Sequence, residues 1–146
     1  MSFVKQSEIG IVKLSDGTIL KLRVAVVDAR EAGFSPFGGI HIEVKPIGGV
    51  ATLEVPPDLR QKVSDKPLSP PTPPKEGWEL VDIVEQKPAV EEVIIDTSKG
   101  KYVVRVEAEA VMVSRNVRYR TRLNEPIYWL SWTWKISWRP FKEGVK

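Results

Sequence analysis

Cysteine is absent from the 146 residues and histidine occurs once. The first absence excludes disulfides, thiol nucleophiles and thiolate metal sites. The second excludes any multi-histidine metal centre. His41, between Ile40 and Ile42, reads as an ordinary polar strand residue. No apolar run approaches the roughly 18–20 residues of a bilayer-spanning helix, and the start, MSFVKQSEIG, lacks the apolar core of a signal peptide. The expectation is a cytoplasmic protein with no membrane contact.

Catalytic motifs are missing as well. The chain contains no GxxxxGK[ST], GxSxG or HExxH, and the glycine-rich GFSPFGG over 33–39 has neither the lysine nor the following helix of a phosphate cradle. Its two phenylalanines, Phe34 and Phe37, suit either a contact loop or a cap over the end of a sheet. Carboxylates are paired at Glu91/Glu92 and Glu107/Glu109; the second pair shares a strand face, and such alternating acids usually mark the solvated side of an antiparallel strand. The expectation is therefore a non-enzyme with no cofactor and no metal. Asparagine and glutamine are also scarce, at two and three, against twelve prolines and many valines and isoleucines. That bias points towards a thermophilic source.

What is abundant is period-two alternation, the mark of an all-β chain. At 146 residues with 42% apolar content, one domain with one core is expected: an antiparallel sandwich or partly open barrel of seven to nine strands built from consecutive hairpins. In the first unit Asp16-Gly17 suits a two-residue turn that sets Ile11 opposite Leu22 and Ile9 opposite Val24. In the second, Gly48-Gly49 suits a turn that sets Val44 opposite Leu53 and Ile42 opposite Val55, with Pro46 near an edge. Pro57-Asp58 opens a short helical segment, Leu59–Val63. Residues 64–77, with five prolines, read as an exposed connection crossing the fold, although PxxP also occurs there. Trp78–Val84 fits a strand better than a helix. In the third unit, a loop at Thr97–Gly100 sets Ile95 opposite Tyr102, Val93 opposite Val104, Asp96 opposite Lys101 and Glu92 opposite Arg105. Apolar residues then change from even to odd positions, which implies a bulge near Val111–Ser114.

Charge is unevenly spread. Residues 1–74 carry a net +1, residues 75–113 a net −4 and residues 114–146 a net +6. Four of the five tryptophans fall within 129–138, and four arginines (Arg115, Arg118, Arg120 and Arg122) crowd the segment just before. A hairpin pairing Val113–Leu123 with Ile127–Arg139 through a short even-length loop sends Tyr128, Leu130, Trp132, Trp134, Ile136 and Trp138 to the core. On its other face it gathers Arg118, Arg120, Arg122, Trp129, Lys135 and Arg139, with Arg120 opposite Trp129 in a cation–π pair. Arg115, on the inner side, must stack or reach the rim, opposite Trp134 or Ile136.

This outer face is the candidate binding site. The leading expectation is a structural, assembly or protein-interaction module, such as a filament accessory or coat component, that contacts itself or another protein and forms a homo-oligomer. The alternative is a sequence-tolerant single-stranded nucleic-acid binder, with the arginines on phosphates and Trp129 stacking on a base.

Overall fold

β-Branched and aromatic residues at alternating positions carry most of this chain into strands. The computed structural model describes residues 2–142. Nine strands and one helix follow in order: β1 Ser2–Glu8, β2 Gly10–Leu14, β3 Ile19–Glu31, β4 Ile42–Glu54, α1 Pro57–Val63, β5 Trp78–Val81, β6 Ile83–Lys87, β7 Ala89–Thr97, β8 Gly100–Asn116 and β9 Ile127–Pro140. They form two antiparallel sheets with the core between them, in keeping with the all-β sandwich or partly open barrel expected from the pattern. One sheet runs β4-β3-β2-β6. In the other, β1 pairs β7 and β7 pairs the first half of β8. β5 continues β7's place along the end of β8, while β9 lines the whole opposite edge. Among the described residues no helix is long and apolar enough to cross a membrane.

Three single-residue corners pass the chain between sheets: Ile9 (β1 to β2), Asp82 (β5 to β6) and Pro88 (β6 to β7). All join the sheets on one side. On the other side β4 and β9 are both terminal strands, and among the described residues no strand bridges them. The core lies between the sheets in two clusters. One gathers Val12, Leu14, Leu20, Leu22, Val24, Ala108, Ala110 and Val113; the other gathers Ile40, Ile42, Val93, Ile95, Tyr102 and Val104.

The third unit folds in the register its pattern gives, with Ile95 opposite Tyr102, Val93 opposite Val104, Asp96 opposite Lys101 and Glu92 opposite Arg105. The parity change is a bulge at Val111, between Ala110 and Met112. It lets β8 run for 17 residues and serve β7 and β5 in turn. The short helix forms with Pro57 in its first turn and buries Leu59 and Val63.

Elsewhere the pairing differs from expectation. In the first hairpin Val12 stands opposite Leu20 and Gly10 opposite Leu22, one residue out of the anticipated register. The loop has three residues, Ser15–Gly17, one more than the expected two: Leu14 N–H donates to Thr18 O at 2.9 Å, and Gly17 takes a φ of 91°. The slip buries Val12 and Leu14 and turns Ile11 and Ile9 outward, because the even positions on both strands form the longer apolar set. Gly48-Gly49 is no turn. β4 runs straight through it and pairs with β3 along its length. A Cβ on Gly48 would lie 2.8 Å from Trp134 Cη2, so glycine there serves a close approach between the two sheets.

The terminal hairpin is also longer-looped than expected. β8 stops at Asn116, which pairs with Ile127, and residues 117–126 form a separate connection. Asn116 explains the stop. It is fully buried, its Nδ2 donates to Glu76 O at 2.9 Å, and its Oδ1 accepts from Arg118 N at 2.9 Å, diverting the chain from the ladder. The aromatic stripe of β9 is only partly core. Tyr128, Leu130 and Trp132 pack on one cluster and Trp138 on the other, but Trp134 and Ile136 remain 37% and 42% exposed. They lie where no strand closes the sandwich.

Candidate interaction surface

The six residues expected on one basic face are dispersed. Arg118, Arg120 and Arg122 lie in the 117–126 connection, whereas Trp129, Lys135 and Arg139 lie on β9. Register sets Ser114, not Arg120, opposite Trp129. Arg118 makes a 3.5 Å contact with Glu76, both side chains being well exposed. Arg120 is structural: its Nε donates to Lys66 O at 2.8 Å, and its backbone exchanges bonds with Pro67 and Ser69. It thereby pins the proline-rich strap to the connection. Lys135 pairs with Glu109 at 3.4 Å and Arg139 with Glu92 at 3.2 Å. Arg122 is exposed and, among the described residues, has no carboxylate within 4.0 Å.

Trp129 meets a different partner. It stands edge-on to Trp78 with ring centroids 6.3 Å apart, and Trp78 Nε1 donates to Pro74 O at 2.7 Å. The strap's Pro70, Pro71, Pro73 and Pro74 complete a hollow of about 300 Å³ with these two rings. The crossing connection is thus held against the outer face of its own sheet by aromatic–proline packing. The strap and Trp129 are separate features of the sequence; their meeting depends on β5 and β9 flanking β8.

The paired carboxylates and Glu125 are likewise committed to structure. Glu91 and Glu92 point to opposite faces of β7 and both are buried. Glu91 accepts the Val26 N–H, which lies past the end of β2 and has no strand neighbour on that side. Glu92 accepts from Lys5, Arg105 and Arg139. Glu107 and Glu109 contact Arg105 and Lys135. Glu125, 5% exposed, accepts from Thr52 and Arg60, tying the connection to β4 and α1.

A second network closes the end near the first turn. Tyr128 donates to Asp16 Oδ2 at 2.7 Å and shares a 2.6 Å contact with the fully buried Thr18 hydroxyl. Arg115 stands opposite Tyr128 and reaches Asp16 at 3.0 Å and Glu79 at 2.7 Å. It pairs with carboxylates and does not stack, and the register sets it opposite Tyr128, not Trp134 or Ile136. Burial and the Asp16 carboxylate hold the Tyr128 phenol well above its ordinary range, against the opposing pull of Thr18. Tyr128→Phe is expected to cost about 1–3 kcal/mol, because it strands the buried Thr18 hydroxyl. Urea unfolding checks this, and a change below the error of the measurement would sink the assignment.

The surface that remains uncommitted is the open side of the sandwich. On β4, Ile47, Val50 and Leu53 are 59%, 43% and 55% exposed, and Trp134 and Ile136 on β9 are exposed as well. The approach of Gly48 to Trp134 puts Val50 on the face turned to β9 and Ile47 on the opposite face of the same strand. The loop after β3 adds Phe34 and Phe37, both exposed. It is held in shape by Ser35 Oγ bonding Ile40 O at 2.6 Å and by Trp138 Nε1 donating to Phe37 O at 3.1 Å. Phe37 is therefore presented outward on a fixed loop beside β9. The β4 edge has one mark in the sequence, the absence of charge between Lys45 and Glu54.

Fold and surface together define a β-sandwich with one unbridged, apolar side. No family model, curated protein or solved structure matches this chain.

Proposed function

We propose that this protein is a non-enzymatic assembly module that binds other protein chains, first of all copies of itself, through the open side between β4 and β9. One observation carries the reading. Two long terminal strands end on the same side of the sandwich and leave large apolar residues in water there. Unpaired strand edges of this kind are templates for further pairing unless charge or cover blunts them. The carboxylates found in pairs are consumed by neighbouring cations or backbone, which also favours a binding role over acid–base chemistry.

Binding of single-stranded nucleic acid is favoured by one feature, the 58% exposed Trp129. Against it, Arg120, Lys135 and Arg139 are engaged within the fold. Sedimentation velocity over a hundredfold concentration range is expected to show self-association, and Ile47→Lys with Ile136→Lys together should abolish it. A strict monomer throughout, or association indifferent to the double variant, overturns the reading. A labelled oligonucleotide is expected not to bind; tight binding that weakens steeply with salt and is lost in Arg122→Ala would favour the alternative.

A further inference from the structure

We infer that β4 is the pairing strand of a two-fold homodimer, in which β4 of one copy runs antiparallel to β4 of the other with Gly49 on the axis. This rests on the assembly reading and supplies its partner and register.

The backbone shows which groups are available. Leu14 N–H bonds Thr18 O, so even-numbered residues at the start of β3 turn their amides towards β2 and odd-numbered ones towards β4. The pattern persists past the end of β2, where Val26 sends its N–H to Glu91. Across the ladder from Val24 and Val26 stand Gly48 and Pro46, whose backbone groups must then face the open edge, as must those of Val50. Proline lies where its missing N–H removes no bond within the sheet.

Charge selects the partner. Eight uncharged residues separate Lys45 from Glu54. Both ends are exposed, and among the described residues neither has an opposite charge within 4.0 Å. A second β4 laid antiparallel brings each Lys45 to the other copy's Glu54, whereas a parallel one sets like against like.

Side-chain size selects the register. With Gly49 on the axis, Ile47 meets Ala51 of the other copy and Val50 meets Gly48, large over small at each pair. Lys45 then meets the irregularity at Leu53–Glu54, where β4 departs from simple pairing with β3. Moving the axis to Ile47 opposes two isoleucines and leaves Glu54 without its lysine.

The absence of native cysteine makes the register measurable. A Cβ added at Gly49 meets nothing within 4 Å, so Gly49→Cys should fold normally. Because Gly49 faces β3 with its backbone groups, the pair across the axis is non-hydrogen-bonded, with Cα atoms about 4.5 Å apart, inside the range of a disulfide. Oxidation is expected to give a covalent dimer from Gly49→Cys and none from Ser98→Cys, on the distant β7–β8 turn. Lys45→Glu should weaken dimerisation about tenfold, and Lys45→Glu with Glu54→Lys should restore it. The two positions lie nine residues apart on one strand, about 30 Å, so restoration can arise only between copies. Self-association without either the cross-link or the restoration overturns this register and leaves the assembly reading standing. A protein that stays monomeric at every concentration overturns both.

Discussion

Replacing Gly10 with alanine is expected to lower stability by about 3 kcal/mol or more, and the unfolding midpoint by about 10 °C. At this position the chain leaves one sheet for the other, and it crosses another of the three corners, Lys87–Ala89, where β6 gives way to β7. A Cβ on Gly10 would sit 2.6 Å from Ala89 N, 2.8 Å from Lys87 O and 2.9 Å from the Pro88 carbonyl carbon. All three are backbone atoms, so no rotamer change relieves the clash and two sheet-switching corners must separate. Gly49→Ala makes the same chemical change in open space and is expected to stay within about 0.5 kcal/mol of the parent. Thermal and urea unfolding of the two variants give the comparison. Equal effects would show that the crossing is not tight.

The second large effect is expected at Glu92. Its side chain is 4% exposed and takes Lys5 at 3.3 Å and Arg105 and Arg139 at 3.2 Å each. Those residues come from β1, β8 and β9, so one carboxylate ties together strands on both sides of β7. Glu92→Gln keeps the shape and removes the charge, leaving three cations gathered without it. Breaking a fully buried pair costs about 3–5 kcal/mol. The cations here are partly exposed, so about 2–3 kcal/mol is expected. Burial raises the carboxyl pKa, but the bonds from Arg139, Arg105 and Lys5 together outweigh it and hold the group below its ordinary value of 4.5. A depressed carboxyl stabilises the fold fully above its unfolded pKa and loses that contribution as pH falls through the folded one. The parent should therefore weaken as pH drops below about 4.5, and the gap between parent and Glu92→Gln should close there. A gap of the same size at pH 3 and pH 7 would show that the charge is not the stabilising feature.

Both effects depend on meetings between distant segments, and the same is true of most of what was hidden in the sequence. The β7–β8 hairpin was legible because its apolar parity, its charge pairs and its turn agree on one register. The bulge at Val111 was legible because parity cannot change within a regular strand. Gly48-Gly49 misled because glycine marks turns and close approaches alike, and Trp134, 86 residues later, decides between them. The first hairpin misled because Asp16-Gly17 serves two-residue and longer loops equally, and only burial of Val12 and Leu14 selects one. The basic ladder failed for a local reason of long-range origin: Asn116 finds Glu76 O, ends β8, and leaves the arginines on a connection.

Alternation, turn residues and one parity change are local properties, so the sequence by itself determined an all-β chain of hairpins, its short helix, its proline crossing and one exact strand register. Which strand is terminal, which glycine is crowded, and which carboxylate is surrounded depend on the order of strands within each sheet. That order is set by which apolar faces bury each other, and it was decided only in the tertiary structure. The same order leaves β4 and β9 unbridged on one side, where the protein keeps its apolar edge available.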